Sequence, residues 1–165
     1  LLLTSILSAR VTAQVACGDV VSDDRAMTAD LNCPAHDPAF TIAGGSVNMN
    51  GHQLTGCLGN GIAITGSGGE LRNGSVFNCA VGVLLAGSGG HAVSNFVARG
   101  NASDGFRISS SGNKLRNTAA VNNTGDGYEI SAGENKLDRN FAINNSDMGF
   151  NLVANKNKLA GNQAI

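Results

Sequence analysis

The feature that most restricts this chain is a self-similarity at an interval of 22 residues. Asn-Lys-Leu recurs at 113–115, 135–137 and 157–159. Followed backwards, the same interval yields an apolar column of Met49, Leu71, Val93, Leu115, Leu137 and Leu159. Five residues further on lies a second column of Leu54, Val76, Ala98, Ala120, Ala142 and Ala164. A third signature is a glycine followed by two apolar residues flanking a variable one, at Gly61, Gly82, Gly105, Gly127 and Gly149. A fixed period of this length means a solenoid, in which each unit buries its apolar face only against its neighbours.

Leucine-rich repeats share the period, but they need a dense Leu-x-x-Leu-x-Leu run that is missing here. Each unit instead holds short alternating pieces separated by Gly, Ser and Asn, with no stretch of helical period. Short strands repeated once per unit must pair with their counterparts one unit away, and the crossover of parallel strands is right-handed by default. The expected fold is therefore all-β, a right-handed parallel β-helix with coils of about 22 residues. Phe106, Tyr128 and Phe150 stack inside it as an aromatic ladder above Val83 and Ile62.

The column at 57, 79, 101, 123 and 145 reads Cys, Cys, Asn, Asn, Asn. Asparagine at a turn can pair its side-chain amide with the turn backbone and with the Asn one coil away, and Asn140 and Asn162 begin a second such ladder. Two cysteines at the same place lie within the ~4.4–6.8 Å Cα separation of a disulfide. A Cys57–Cys79 bridge is expected as a covalent rung, and Cys17 is expected to pair with Cys33 outside the repeats. The segment 14–38 reads as an N-terminal cap and 39–165 as the coils, incomplete at their C-terminal end. That end leaves Leu152, Leu159 and Ala164 uncovered, so end-to-end self-association through the open coil is expected.

Residues 1–13 open with Leu1-Leu2-Leu3-Thr4-Ser5-Ile6-Leu7 and close on Val11-Thr12-Ala13, the pattern of a signal peptide truncated at its start. An oxidising compartment suits the paired cysteines, so the expected location is secreted, periplasmic or extracellular. No other stretch approaches the ~20 apolar residues of a membrane span. Net charge is −1, without a basic block or any Trp, which argues against a nucleic-acid partner.

At these Gly, Leu and Asn columns the chain resembles the parallel β-helix repeat proteins of the pectin-lyase-like superfamily over residues 39–165. The motif L-x-x-N-x-A-x-x-N stands at Leu137, Asn140, Ala142 and Asn145. The resemblance implies architecture and a carbohydrate context, spanning polysaccharide lyases, glycoside hydrolases, epimerases and non-catalytic surface modules. The catalytic motifs of those enzymes do not transfer. Asn145-Ser146-Asp147 and Asp23-Asp24 stand in the wrong order, and Gly51-His52-Gln53, Gly90-His91-Ala92 and Ala35-His36-Asp37-Pro38 lack the surrounding pattern.

Candidate binding residues fall on outward strand positions. Lys114, Lys136 and Lys158 form a basic stripe with Arg72 and Arg116 displaced by two, suited to an acidic polysaccharide. Arg107 and Glu129 face each other one coil apart as an ion pair, and Asp104 and Asp126 repeat just before a strand glycine. His36, His52 and His91 fall in three registers, so neither a metal nor a cofactor is expected. Sequons stand at Asn73, Asn101, Asn122 and Asn144. The expected function is a secreted non-catalytic module, structural or carbohydrate-binding. The alternative is a fragment of a lyase, glycoside hydrolase or uronan epimerase lacking its catalytic loops.

Overall fold

The computed structural model describes residues 13–165; the expected signal peptide lies almost wholly outside them. Among the described residues there are eighteen strands, every pair of them parallel, and no helix. They stack as a right-handed β-helix of about seven turns. One sheet takes one strand from each coil, Val20–Val21, Phe40–Ile42, Asn60–Ile64, Val81–Leu85, Phe106–Ile108, Tyr128–Ile130 and Phe150–Leu152. The other sheet bends mid-strand, so that Glu70–Phe77, Ala92–Arg99 and Lys114–Val121 each serve two faces.

The chain turns three corners per coil, and each corner repeats one backbone conformation. Left-handed φ values recur at Gly68, Gly90, Gly112, Glu134 and Lys156, at Asn73, Asn95, Asn117, Arg139 and Gly161, and at Asn78, Gly100, Asn122 and Asn144. Asn and Gly dominate these columns because they enter the left-handed region at least cost. The residue just after each such position turns inward, and there the polar ladders run. At the third corner Asn101 N–H and Nδ2 both donate to Asn123 Oδ1, at 3.1 and 2.9 Å, and Asn123 repeats this towards Asn145. At the second, Thr118 and Asn140 donate to Asn140 Oδ1 and Asn162 Oδ1. The first corner holds a further ladder of Asn113, Asn135 and Asn157.

Both disulfides are present. Cys57 and Cys79 continue the third-corner ladder covalently, with Cα atoms 4.6 Å apart, and Cys79 N–H donates to Asn101 Oδ1. Cys17 and Cys33 pair at 5.6 Å. Segment 14–38, read as a cap, is itself wound as a coil: Val20–Val21, Asp24–Ala26 and Leu31–Asn32 pair with the next coil, over a buried Val15, Val21, Met27 and Cys33.

Inside, Phe106, Tyr128 and Phe150 stack nearly parallel, with ring centroids 4.9 and 4.7 Å apart. The Tyr128 hydroxyl meets Thr118 Oγ1 at 2.9 Å, and burial pushes its pKa well above the usual phenol range. The Leu71-to-Leu137 row is fully buried, each leucine contributing ~1.5–3 kcal/mol. One expected register is corrected. Val47, not Met49, pairs with Leu71, a step of 24, whereas Leu54 pairs with Val76, a step of 22. The bend 49–52 is longer by two residues, which carries Met49 past the column. Met49 is buried all the same, and a Cβ on Gly74 would meet its own Cβ at 2.5 Å. Gly74 is therefore the residue that makes room for it.

Candidate functional site

Strand pairing sets Lys114, Lys136 and Lys158 side by side on three successive coils. Their neighbours in sequence, Leu115 and Leu137, point into the core, so the pleat turns the lysines outward. All three are exposed. Parallel strands place them ~4.8 Å apart at the backbone. The row ends abruptly in the other direction: the next positions are Ala92 and Glu70, and Glu70 pairs with Arg72 at 3.5 Å. Two residues along each strand lie Arg116 and Asp138, 3.6 Å apart. Asp138 also takes Arg139 at 2.9 Å, and that hydrogen bond holds its carboxyl below the ordinary value. Lys114, Leu115, Arg116, Lys136 and Asp138 surround a shallow depression of about 170 Å³. Among the described residues, none of the three lysines lies within 4.0 Å of a carboxylate.

Arg107 and Glu129 belong to the other sheet, so the structure does not bring them to the lysine row. They do pair, with Arg107 Nε 2.7 Å from Glu129 Oε2. A third member was not legible as their partner. Asp104 Oδ2 accepts from Arg107 Nη2 at 2.6 Å and Nε at 3.0 Å, and the Asp104 side chain is only 7% exposed. Burial works against the Arg107 charge, but the Asp104 and Glu129 carboxylates outweigh it and raise its pKa. Asp104 Oδ1 accepts the Asp126 N–H, and Asp126 accepts the Met148 N–H and the Asn151 side-chain amide. These carboxylates thus form a ladder that closes the third corner, each anion committed to donors of the next coil. Spacing alone could signal Asp104 over Asp126, but the reach of Arg107 back to Asp104, three residues away, does not follow from the repeat.

His91 is a rung rather than a site. It is fully buried in the first-corner column, where its Nδ1 accepts from Gly69 N–H at 3.2 Å and its Nε2 meets Ala86 O at 2.7 Å. With Nδ1 accepting, Nε2 is the nitrogen placed to donate to the Ala86 carbonyl. The signal for this ladder was the Asn that opens each Asn-Lys-Leu triplet. His52 sits on the surface 3.1 Å from Asp30. Among the described residues no helix is long and apolar enough to cross a membrane.

Residues 32–164 match the family model described as a right-handed beta helix region. Comparison with curated proteins and with solved structures found no match.

Proposed function

The chain belongs to the right-handed β-helix family, and we propose that it acts as a secreted, non-catalytic module that binds an acidic polysaccharide along Lys114, Lys136 and Lys158. The observation that carries this reading is a row of three parallel-paired, exposed cations, none within 4.0 Å of a carboxylate, with Asp138 near enough to Lys136 for their charges to interact. Unit charges at ~4.8 Å repel by about 1 kcal/mol per pair even in bulk water, less once salt screens them and the side chains splay. The fold tolerates that repulsion instead of alternating charge as it does at Arg107–Glu129 and Arg116–Asp138. An extended polyanion laid across the coils would meet one ammonium at each step. Two disulfides and the apolar segment before Gln14 support an oxidising, extracellular setting. The non-catalytic part rests on the Asp104, Asp126 and Glu129 carboxylates, all engaged by donors.

Calorimetric titration of the purified protein with polygalacturonate and alginate at low salt tests this. Binding of one of them is expected, weakening at least tenfold in a Lys114→Ala, Lys136→Ala, Lys158→Ala variant and falling with ionic strength. Equal affinity in the triple variant would overturn it.

A further inference from the structure

A broad, open concavity lies away from the lysine row, at the third corner. Its lining includes Leu58, Asn78, Ala80, Gly100, Asn122 and Thr124, and it encloses about 470 Å³ while staying open to solvent. One lining residue, Gly100, breaks the pattern of its column. In the corner column Asn78, Gly100, Asn122 and Asn144, the φ values of 55, 58, 54 and 52° are the same within a few degrees. Asparagine adopts this conformation on both sides, so the backbone does not require glycine at 100. A Cβ there would meet only the Asn78 side-chain oxygen, at 4.0 Å, so packing does not require it either. What Gly100 does is interrupt a ridge of amide side chains, and the small Ala80 and Ala102, two residues along the chain, widen the gap.

The notch is chemically specific. All of its lining residues are uncharged, Asn101 and the Cys57–Cys79 bridge included. Among the described residues, no side chain pairs with the Asn78 or Asn122 amide or with the Thr124 hydroxyl. Two amides and a hydroxyl together present donors and acceptors to neighbouring hydroxyl groups. Leu58, 72% exposed, supplies an apolar wall for a C–H face. The floor is stiff, because Ala80, Ala102 and Thr124 each donate a backbone bond to the preceding coil, at 2.7, 2.8 and 3.0 Å. The volume falls within the ~300–1,000 Å³ of small-molecule sites, and an open cleft accepts an internal unit of a chain.

We propose that the Gly100 notch is a second binding site, which takes one sugar residue of a neutral glycan chain between Asn78, Leu58 and Asn122. It goes beyond the anionic-glycan reading and does not depend on it. The test uses the whole chain, made in a host that forms disulfides but adds no N-glycans, because Asn122 heads a sequon. The probes are neutral hexasaccharides of glucose, xylose, mannose and galactose, titrated by calorimetry. The expected result is saturable binding of at least one of them, weakened tenfold or more in Gly100→Asn and severalfold in Thr124→Ala. Gly100→Asn restores the residue of the same column on either side, so it should fold, with an unchanged thermal midpoint as the check. Lys114→Ala, Lys136→Ala, Lys158→Ala must leave this binding intact, which separates it from the lysine row. Absence of binding to all four probes, or undiminished binding in Gly100→Asn, overturns the proposal.

Discussion

Asn123→Ala isolates what an interior amide ladder contributes. The Asn123 side chain is 1% exposed; its Oδ1 accepts from Asn101 N–H and Asn101 Nδ2, and its Nδ2 donates to Ala98 O and Asn145 Oδ1. Asn145 Oδ1 keeps the Asn123 N–H after the change. Both Asn101 donors, however, lose their only partner. A buried donor left unsatisfied costs ~1–3 kcal/mol, so two cost ~2–6 kcal/mol. Water entering the vacated space recovers part of this, leaving an expected loss of about 2–4 kcal/mol. Urea unfolding followed by far-UV circular dichroism measures it from the midpoint and slope. The control is Asn122→Gly one residue earlier, an exposed left-handed position that glycine adopts freely, expected to change stability by under about 0.5 kcal/mol. A loss below about 1 kcal/mol in Asn123→Ala would refute the view that the ladder holds the third corner.

Three further outcomes follow from the same structure. Leu137→Asp places an unpaired charge between two coils and should abolish soluble folded protein, whereas Leu137→Ala should cost about 2–5 kcal/mol in urea unfolding. Replacing Cys57 and Cys79 together by alanine should cost about 3 kcal/mol, from the chain entropy of a loop of 22 residues, while replacing both by asparagine should recover part of that by extending the amide ladder. The carboxyls of Asp23, Asp30 and Asp138 are held below their ordinary value, chiefly by Arg25, by the Gln53 N–H and by Arg139 respectively. Because the folded-state values are depressed, their contribution is complete above about pH 4 and is lost as pH falls through the folded values, so Asp138→Asn should flatten the acid limb of a stability profile.

What could be read from the residues alone was whatever obeys the one-per-coil rule. The aromatic stack, the Ala98-to-Ala164 column, the Cys57–Cys79 rung and the lysine row all follow from one interval and needed no knowledge of the turns. The rule failed at Met49, where the bend 49–52 grows by two residues while its ends stay in register. Asp104 as the partner of Arg107 was hidden for a related reason, since their contact lies within one coil instead of repeating between coils. The Gly100 notch was invisible because it consists of missing side chains, which leave no motif.

The lysine row is tested most directly by mapping where an acidic glycan touches the protein. Backbone amide shifts of the isotope-labelled chain would be followed by NMR while oligogalacturonate is added at low salt. Perturbations are expected to concentrate on 114–116, 136–138 and 158–160, Arg116 included, and to vanish in the triple lysine variant. Perturbations centred instead on Phe106–Ile108 and Tyr128–Ile130, around Arg107 and Glu129, would contradict binding at the lysine row.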